Sequence, residues 1–238
     1  MRIRVLLGAA VLVASSVSIA LVGTPGVTGA DPVAAPLCGS TEATAGTALS
    51  GTYGNLTVTG IAYVDNGATL NVTGNLTVAP GSCLDAFSTG TVHISHNVIV
   101  KRGATLALGC APGANGPPPL APCYFTTTDD TVGGSITAHQ PKTMYLTAVT
   151  VGRNVVSDGG GFSTPGLSFP VKDMKIGGNL VLQGWHGGPG AWIGALRNQV
   201  GGNMIVSHNV GDRPGEVTGK QRLDRGGWQH CAGRSVAA

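Results

Sequence analysis

The sequence has little charge and few aromatic side chains. Charged residues make up 11% of its 238 residues, against roughly a quarter in an average globular protein, and glutamate occurs only as Glu42 and Glu216. Phe, Trp and Tyr together make up 5%. Val, Thr, Ile and 39 Gly residues dominate instead of strong helix formers. This composition argues against a helical domain and favours short β-strands joined by tight turns.

The common catalytic and metal-binding motifs are also missing. The chain has no CxxC, HExxH or GxSxG pattern and no P-loop. Its few carboxylates include one adjacent pair, Asp129 and Asp130. Adjacent side chains on a strand face opposite ways, so this pair is more typical of a solvated turn than of a catalytic or metal-binding pair. We therefore predict no catalytic residues, no metal site and no cofactor.

The amino terminus has the features of a secretory signal peptide over residues 1–30. Arg2 and Arg4 precede an uncharged apolar run, Val5–Val22, and small residues before Ala30 suit cleavage. The alternative is an uncleaved membrane anchor, which the length would just permit. With cleavage, we expect a secreted, extracellular protein that has no contact with a membrane.

Charge also excludes a basic face for nucleic acid. Loss of Arg2 and Arg4 with the signal lowers the formal net charge from +3 to +1. Residues 220–238 carry a formal charge of +3, which leaves about −2 on residues 31–219. A body with this balance is not a nucleic-acid-binding domain.

Five cysteines in a chain destined for an oxidising compartment predict structural disulfides. Cys110 and Cys123 bracket a Pro/Gly-rich segment and are predicted to close it as a loop. Cys38 and Cys83 are the second candidate pair, which would tie down the first repeats. Cys231 is left unpaired.

A short unit with a Gly-Asn-like start, a β-prone run and a turn recurs at intervals of about 20–25 residues. Its clearest copies begin at Gly74 and His96. Within each copy alternate residues, such as Leu76 and Val78, can point inward. One such coil cannot bury its apolar face alone, but stacked coils can, which predicts a parallel β-helix of about seven or eight rungs. A β-sandwich would not need the same turn dipeptide in the same register.

Glycine and asparagine recur at the corner that opens each unit. The glycines at 54, 74, 134, 178 and 202 are expected to adopt positive φ. The asparagines that follow could form a ladder of stacked side chains, or could reflect a turn preference alone. The ladder positions are Asn55, Asn75, Asn97, Asn154, Asn179 and Asn203.

These units resemble those of secreted bacterial β-solenoid repeat proteins of unassigned function. The segments that carry the resemblance are GNLTVAPGSCL, HNVIVKRGATL, VGGSI, VGRNVV, IGGNLVL and VGGNMIV, within residues 51–210. More loosely, the chain resembles the right-handed parallel β-helix of pectate-lyase-like proteins and bactofilins. The resemblance implies a fold and supplies no function.

Two tryptophans provide the binding-site hypothesis. Trp185 and Trp192 flank a Gly/Pro-rich segment in a chain with few aromatics. Exposed Trp rings can stack on sugar faces or anchor a partner. The alternative is that both rings fold over a strand edge or the side of the solenoid.

The predicted organisation is a signal peptide (1–30), a leader or cap (31–50), a β-solenoid (51–218) with a disulfide-bracketed loop (110–123), and an irregular tail (219–238) that is disordered or results from a lost reading frame. We expect a non-enzymatic structural or surface-binding protein. Its partners would be cell-wall or extracellular glycan, or other copies of itself. A polysaccharide-active β-helix enzyme, a lyase or hydrolase, is the alternative.

Overall fold

The computed structural model of the protein describes residues 38, 46–110, 127–162, 171–187 and 193–210, together with the backbone of 220–222 and 228–230. Within residues 46–210, 21 strands follow one another as seven triplets, which we call rungs. In chain order the rungs are β1 (Thr47–Ala48), β2 (Gly51–Tyr53), β3 (Leu56–Val58); β4 (Ile61–Tyr63), β5 (Thr69–Val72), β6 (Leu76–Val78); β7 (Cys83–Ala86), β8 (Thr91–Ile94), β9 (Val98–Val100); β10 (Thr105–Leu108), β11 (Thr131–Val132), β12 (Ile136–His139); β13 (Thr143–Thr147), β14 (Thr150–Val151), β15 (Val155–Phe162); β16 (Val171–Lys172), β17 (Lys175–Ile176), β18 (Leu180–Gly187); and β19 (Ala195–Leu196), β20 (Gln199–Val200), β21 (Met204–Ser207).

The rungs stack into three parallel sheets of seven strands each. The first sheet takes the first strand of every rung, from β1 to β19; the second takes the second strand, from β2 to β20; and the third takes the last strand, from β3 to β21. Neighbouring strands in each sheet therefore come from consecutive rungs. This topology confirms the predicted all-β parallel solenoid.

The core consists of columns of aliphatic side chains that run from rung to rung. In the third sheet the register aligns Leu76 with Val98, Ile136, Val155 and Leu180, and all of these side chains are fully buried. In the second sheet an equivalent buried column runs from Val72 through Ile94 and continues to Val200. Each buried aliphatic side chain contributes roughly 1.5–3 kcal/mol, so the stacked columns are the main source of stability.

The middle of the first sheet is buried on both faces. All residues of β7, β10 and β13 are buried, whereas strands of the other two sheets alternate between buried and partly exposed residues. Tyr145 is completely buried and packs edge-on against Phe87, with ring centroids 5.1 Å apart. The predicted disulfide between Cys38 and Cys83 is present and attaches the segment around Cys38 to this sheet.

The expectation of positive φ at the Gly-Asn corner is wrong. None of the glycines at 54, 74, 134, 178 and 202 has positive φ. Four of them are required for a steric reason instead: a Cβ at Gly74, Gly134, Gly178 or Gly202 would overlap with the Asn side chain of the rung below. The close stacking of the rungs, not the turn conformation, demands glycine at these positions.

Two short strands lie within the segment 219–238, most of which is outside the described residues. β22 (Lys220–Arg222) and β23 (Trp228–His230) form an antiparallel pair.

Several sequence predictions fall on parts of the chain that the structure does not describe. The signal peptide (1–30), most of the leader (31–50) and the interior of the bracketed loop (111–122) lie outside the described residues. Among the residues that are described, there is no helix of the length and hydrophobicity that a membrane crossing requires.

Candidate functional site

The corner asparagines are linked by an unbroken series of hydrogen bonds. The backbone N–H of Asn75 donates to Asn55 Oδ1 at 2.8 Å, and the same contact repeats at every later rung, up to Asn203, which donates to Asn179 Oδ1 at 2.7 Å. Ser135 takes the place of Asn in the fourth rung, where its Oγ accepts from Asn154. The amide groups of Asn97 and Asn179 also donate to the Asn one rung below. These side chains hold neighbouring rungs together and are not arranged around a ligand.

Trp185 is completely buried and does not present a ring for stacking on sugars. Its indole Nε1 donates to Ser157 Oγ at 3.1 Å, and its ring lies against Gly160, where a Cβ would come within 3.2 Å of the ring. A buried indole with a satisfied N–H is a packing element. The other residue of the hypothesis, Trp192, lies outside the described residues.

Cys110 is completely buried and disulfide-bonded. Its predicted partner, Cys123, lies outside the described residues.

The carboxylates that could form a catalytic group lie on different faces. Asp85 is buried on the first sheet, whereas Asp158 is exposed on β15 of the third sheet, beside His139. Asp129 is exposed and its neighbour Asp130 is buried, so the adjacent pair faces opposite ways. In the described ranges no three His, Cys, Asp or Glu side chains gather closely enough to hold a metal ion.

Asp130 belongs to a second series of side chain–backbone contacts, at the corner before the second sheet. Its Oδ1 accepts the N–H of Val92, one rung below, at 2.9 Å. Met174 Sδ and Asn198 Oδ1 make the same contact to Val149 and Met174 respectively. In each of these contacts a side chain from the next rung supplies the acceptor for a buried backbone N–H.

Burial raises the pKa of Asp130 to about 6, because the ionised carboxylate loses its hydration. The hydrogen bond from Val92 offsets this only in part. Oδ2 has no hydrogen-bond partner in the described part of the chain. Asp130 is therefore a buried acid with a perturbed pKa, but it faces the core, where no substrate can reach it.

Two basic residues of the last two rungs also have shifted pKa values. Burial lowers the pKa of Lys172. The hydrogen bonds that Arg197 donates to Asp173, at 2.6 and 2.7 Å, raise the pKa of the guanidinium group. Asp173 and Arg197 thereby neutralise each other on the surface.

A groove runs along the outer face of the second sheet, which we call the side groove. Its volume is about 250 Å³, and it crosses the rungs that contain β8, β11 and β14. Its polar groups come from Thr and Ser hydroxyls and from an imidazole, and His93 Nδ1 lies 3.0 Å from Thr131 Oγ1. The lining residues are His93, Ile94, Ser95, Thr131, Val132, Gly133, Thr150 and Gly152.

The floor of the side groove is glycine because the rungs stack too closely there for a side chain. A Cβ at Gly133 would overlap with the carbonyl oxygen of Ser95, and one at Gly152 with that of Gly133. The same relation continues beyond the groove at Gly177 and Gly201. Outward-facing side chains therefore stand on either side of a bare backbone floor.

The side groove offers hydroxyl and imidazole groups in a row with the rung spacing of about 4.8 Å. Such a row can hydrogen-bond to an extended polymer that repeats polar groups along its length. The sequence analysis did not identify it. Its signal is the recurring triplet of an outward polar residue, Val or Ile, and Gly, as in Thr131–Gly133, Thr150–Gly152 and Lys175–Gly177.

In comparisons with known proteins, no family model, no curated protein and no solved structure matches this chain.

Proposed function

We propose that the protein is a secreted, non-enzymatic β-solenoid that binds an extended, hydroxyl-rich polymer, such as a cell-wall or other extracellular glycan, along the side groove. The observation that carries this proposal is the groove itself, with exposed Thr150 and Ser95 and partly exposed His93 and Thr131 over a flat floor. Each contact would be a solvent-exposed hydrogen bond and therefore weak. Repetition along a polymer would raise the total affinity.

Two further observations support a binding role over a catalytic one. Asp85 and Asp158, which an acid–base mechanism would have to bring together, lie on different sheets, and Asp130 faces the core. The side groove contains no carboxylate among its lining residues. Glycoside hydrolysis ordinarily needs two carboxylates that flank one bond.

The disulfide between Cys38 and Cys83 is compatible with an extracellular location, because such bonds persist in oxidising compartments. Together with the signal peptide predicted from the sequence, it supports the secreted part of the proposal.

The proposal is tested by filling the groove. Thr150→Trp places a bulky ring in the groove at an exposed position, and Thr137→Trp makes the same change at an exposed position on the third sheet. We expect the mature wild-type protein to bind polymers on a glycan and cell-wall array, with calcium and with chelator alike. Thr150→Trp should abolish this binding and Thr137→Trp should retain it, with both variants keeping the wild-type circular dichroism spectrum and melting temperature. Equal binding by the two variants would refute the groove as the site, and an array without wild-type binding would refute the function.

A further inference from the structure

Two basic side chains lie beyond the polar lining of the side groove, on opposite sides of its glycine floor. Strand pairing places Lys175 beside Thr150, one rung farther along. Arg153 follows Gly152 directly in the chain, on the other side of the floor. Both residues are exposed. The polar lining of the groove is therefore followed by a region that has Lys175 on one side and Arg153 on the other.

Within the described part of the chain, neither cation has an ion-pair partner. The ion pairs of the described residues join His139 to Asp158 and Arg197 to Asp173, so Arg153 and Lys175 take part in none of them. Exposed, unpaired Arg and Lys side chains keep their full attraction for an anion.

Two histidines also lie at or near the groove. His93 lines the groove, and the exposed His96 lies at the Gly-Asn corner one residue beyond Ser95. Two carboxylates lie close to strands of the second sheet. Asp129 lies two residues before Thr131, and Asp173 lies two residues before Lys175. Asp173 is already engaged by Arg197, whereas Asp129 takes part in no ion pair of the described residues.

We infer that the polymer held in the side groove is anionic, with carboxylate or phosphate groups that pair with Arg153 and Lys175 while its hydroxyl groups bond to Thr131 and Thr150. This inference rests on the proposed function and adds the chemical class of the ligand. Arg can bind a carboxylate or phosphate through two parallel N–H donors, and Lys acts as a point charge beside it. The proposal depends on the groove and on the two cations. The glycine floor contributes only by leaving room for a ligand to reach them.

The test compares three polymers by isothermal titration calorimetry on the mature, oxidised protein. Polygalacturonate supplies carboxylates, inorganic polyphosphate supplies phosphates, and dextran is the neutral control. The test variant is Arg153→Gln/Lys175→Gln. The matched control, Lys101→Gln/Arg102→Gln, removes the same charge from exposed positions after the third-sheet strand β9.

We expect wild type to bind at least one polyanion more tightly than dextran. The test variant should lose about tenfold or more of that affinity, since charged hydrogen bonds are the stronger ones, and the control should lose little. About 0.5 M salt should weaken polyanion binding by wild type, because exposed charges are screened. A preference for one polyanion supports the inference and identifies the anionic group.

The inference is overturned if the test variant binds the polyanions as tightly as the control variant does. The groove variant Thr150→Trp separates this failure from failure of the proposed function. If Thr150→Trp weakens binding of dextran and polyanions alike while the charge variant changes nothing, the groove is the site and its ligand is not anionic. If Thr150→Trp alters the binding of none of the three polymers, the proposed function itself fails.

Discussion

Replacing Asp130 with Asn should stabilise the protein at neutral pH and remove a pH dependence of its stability. The carboxylate is 1% exposed and its pKa is raised from 3.8 to about 6. Between these values the folded state keeps a proton that the unfolded state has lost. The free energy of unfolding therefore falls as pH rises from about 3.8 to about 6, and above that range the loss is complete.

The size of this loss follows from the shift. A difference of about two pKa units corresponds to roughly 3 kcal/mol, at about 1.36 kcal/mol per unit. Asn keeps the Oδ1 that accepts from Val92 but carries no charge. The same inner column already contains an Asn in the last rung, since Asn198 Oδ1 accepts from Met174 while its Nδ2 donates to the Val171 carbonyl oxygen. The fold thus shows that an amide fits this type of corner.

The assay is urea unfolding of the oxidised wild type and the Asp130→Asn variant, monitored by circular dichroism from about pH 3.5 to about pH 7.5. We expect the variant's advantage to grow by about 3 kcal/mol across this range, as the wild-type carboxylate ionises in the folded state. Asp129→Asn is the matched control, because it removes the neighbouring but exposed carboxylate and should change stability by less than about 0.5 kcal/mol. Parallel stability–pH curves for wild type and Asp130→Asn would refute the reasoning.

Three further changes test the contacts between rungs. Asn154→Ala removes an acceptor of the corner ladder and should cost about 1–2 kcal/mol in urea unfolding, whereas Asn203→Ala, whose side chain accepts no bond from another rung in the described ranges, should cost much less. Gly178→Ala introduces a Cβ that overlaps with the rung below and should cost about 1–3 kcal/mol, while Gly54→Ala, with open space around it, should be nearly neutral; equal losses would contradict the steric explanation. Cys83→Ser opens a disulfide across a sequence separation of 45 residues and should lower stability by about 4 kcal/mol, measured as a fall in melting temperature; reduction of the wild type, which also opens the Cys110 disulfide, should lower it at least as far.

The fold could be predicted from the sequence because each rung must bury its own inward residues against the next. Leu76, Val78, Val98 and Val100 show the alternation and the repeat interval together, and the structure aligns them in two buried columns. Repetition carries this signal even without a related sequence. The role of glycine at the corner could not be predicted, because the overlap at Gly178 depends on how closely two rungs approach.

The site could be predicted much less well. Trp185 is an aromatic residue near a Gly/Pro-rich segment, which resembles an exposed binding loop in sequence. Its burial depends on the space above Gly160 and the acceptor at Ser157, which lie one rung away and 25 and 28 residues earlier in the chain. The side groove was missed because its residues are ordinary Thr, His and Gly, and only the register brings Thr131 beside Thr150.

The most direct test of the central claim, that this solenoid binds polymers through the outer face of its second sheet, is a titration of the isotopically labelled mature protein with polygalacturonate, followed by amide chemical shifts. The account predicts that shifts change at Thr131, Gly152 and Lys175 and stay constant at Thr77 and Thr137 on the third sheet. Changes centred on the third sheet would contradict it, and so would a spectrum that polygalacturonate, inorganic polyphosphate and dextran, titrated in turn, all leave unaltered.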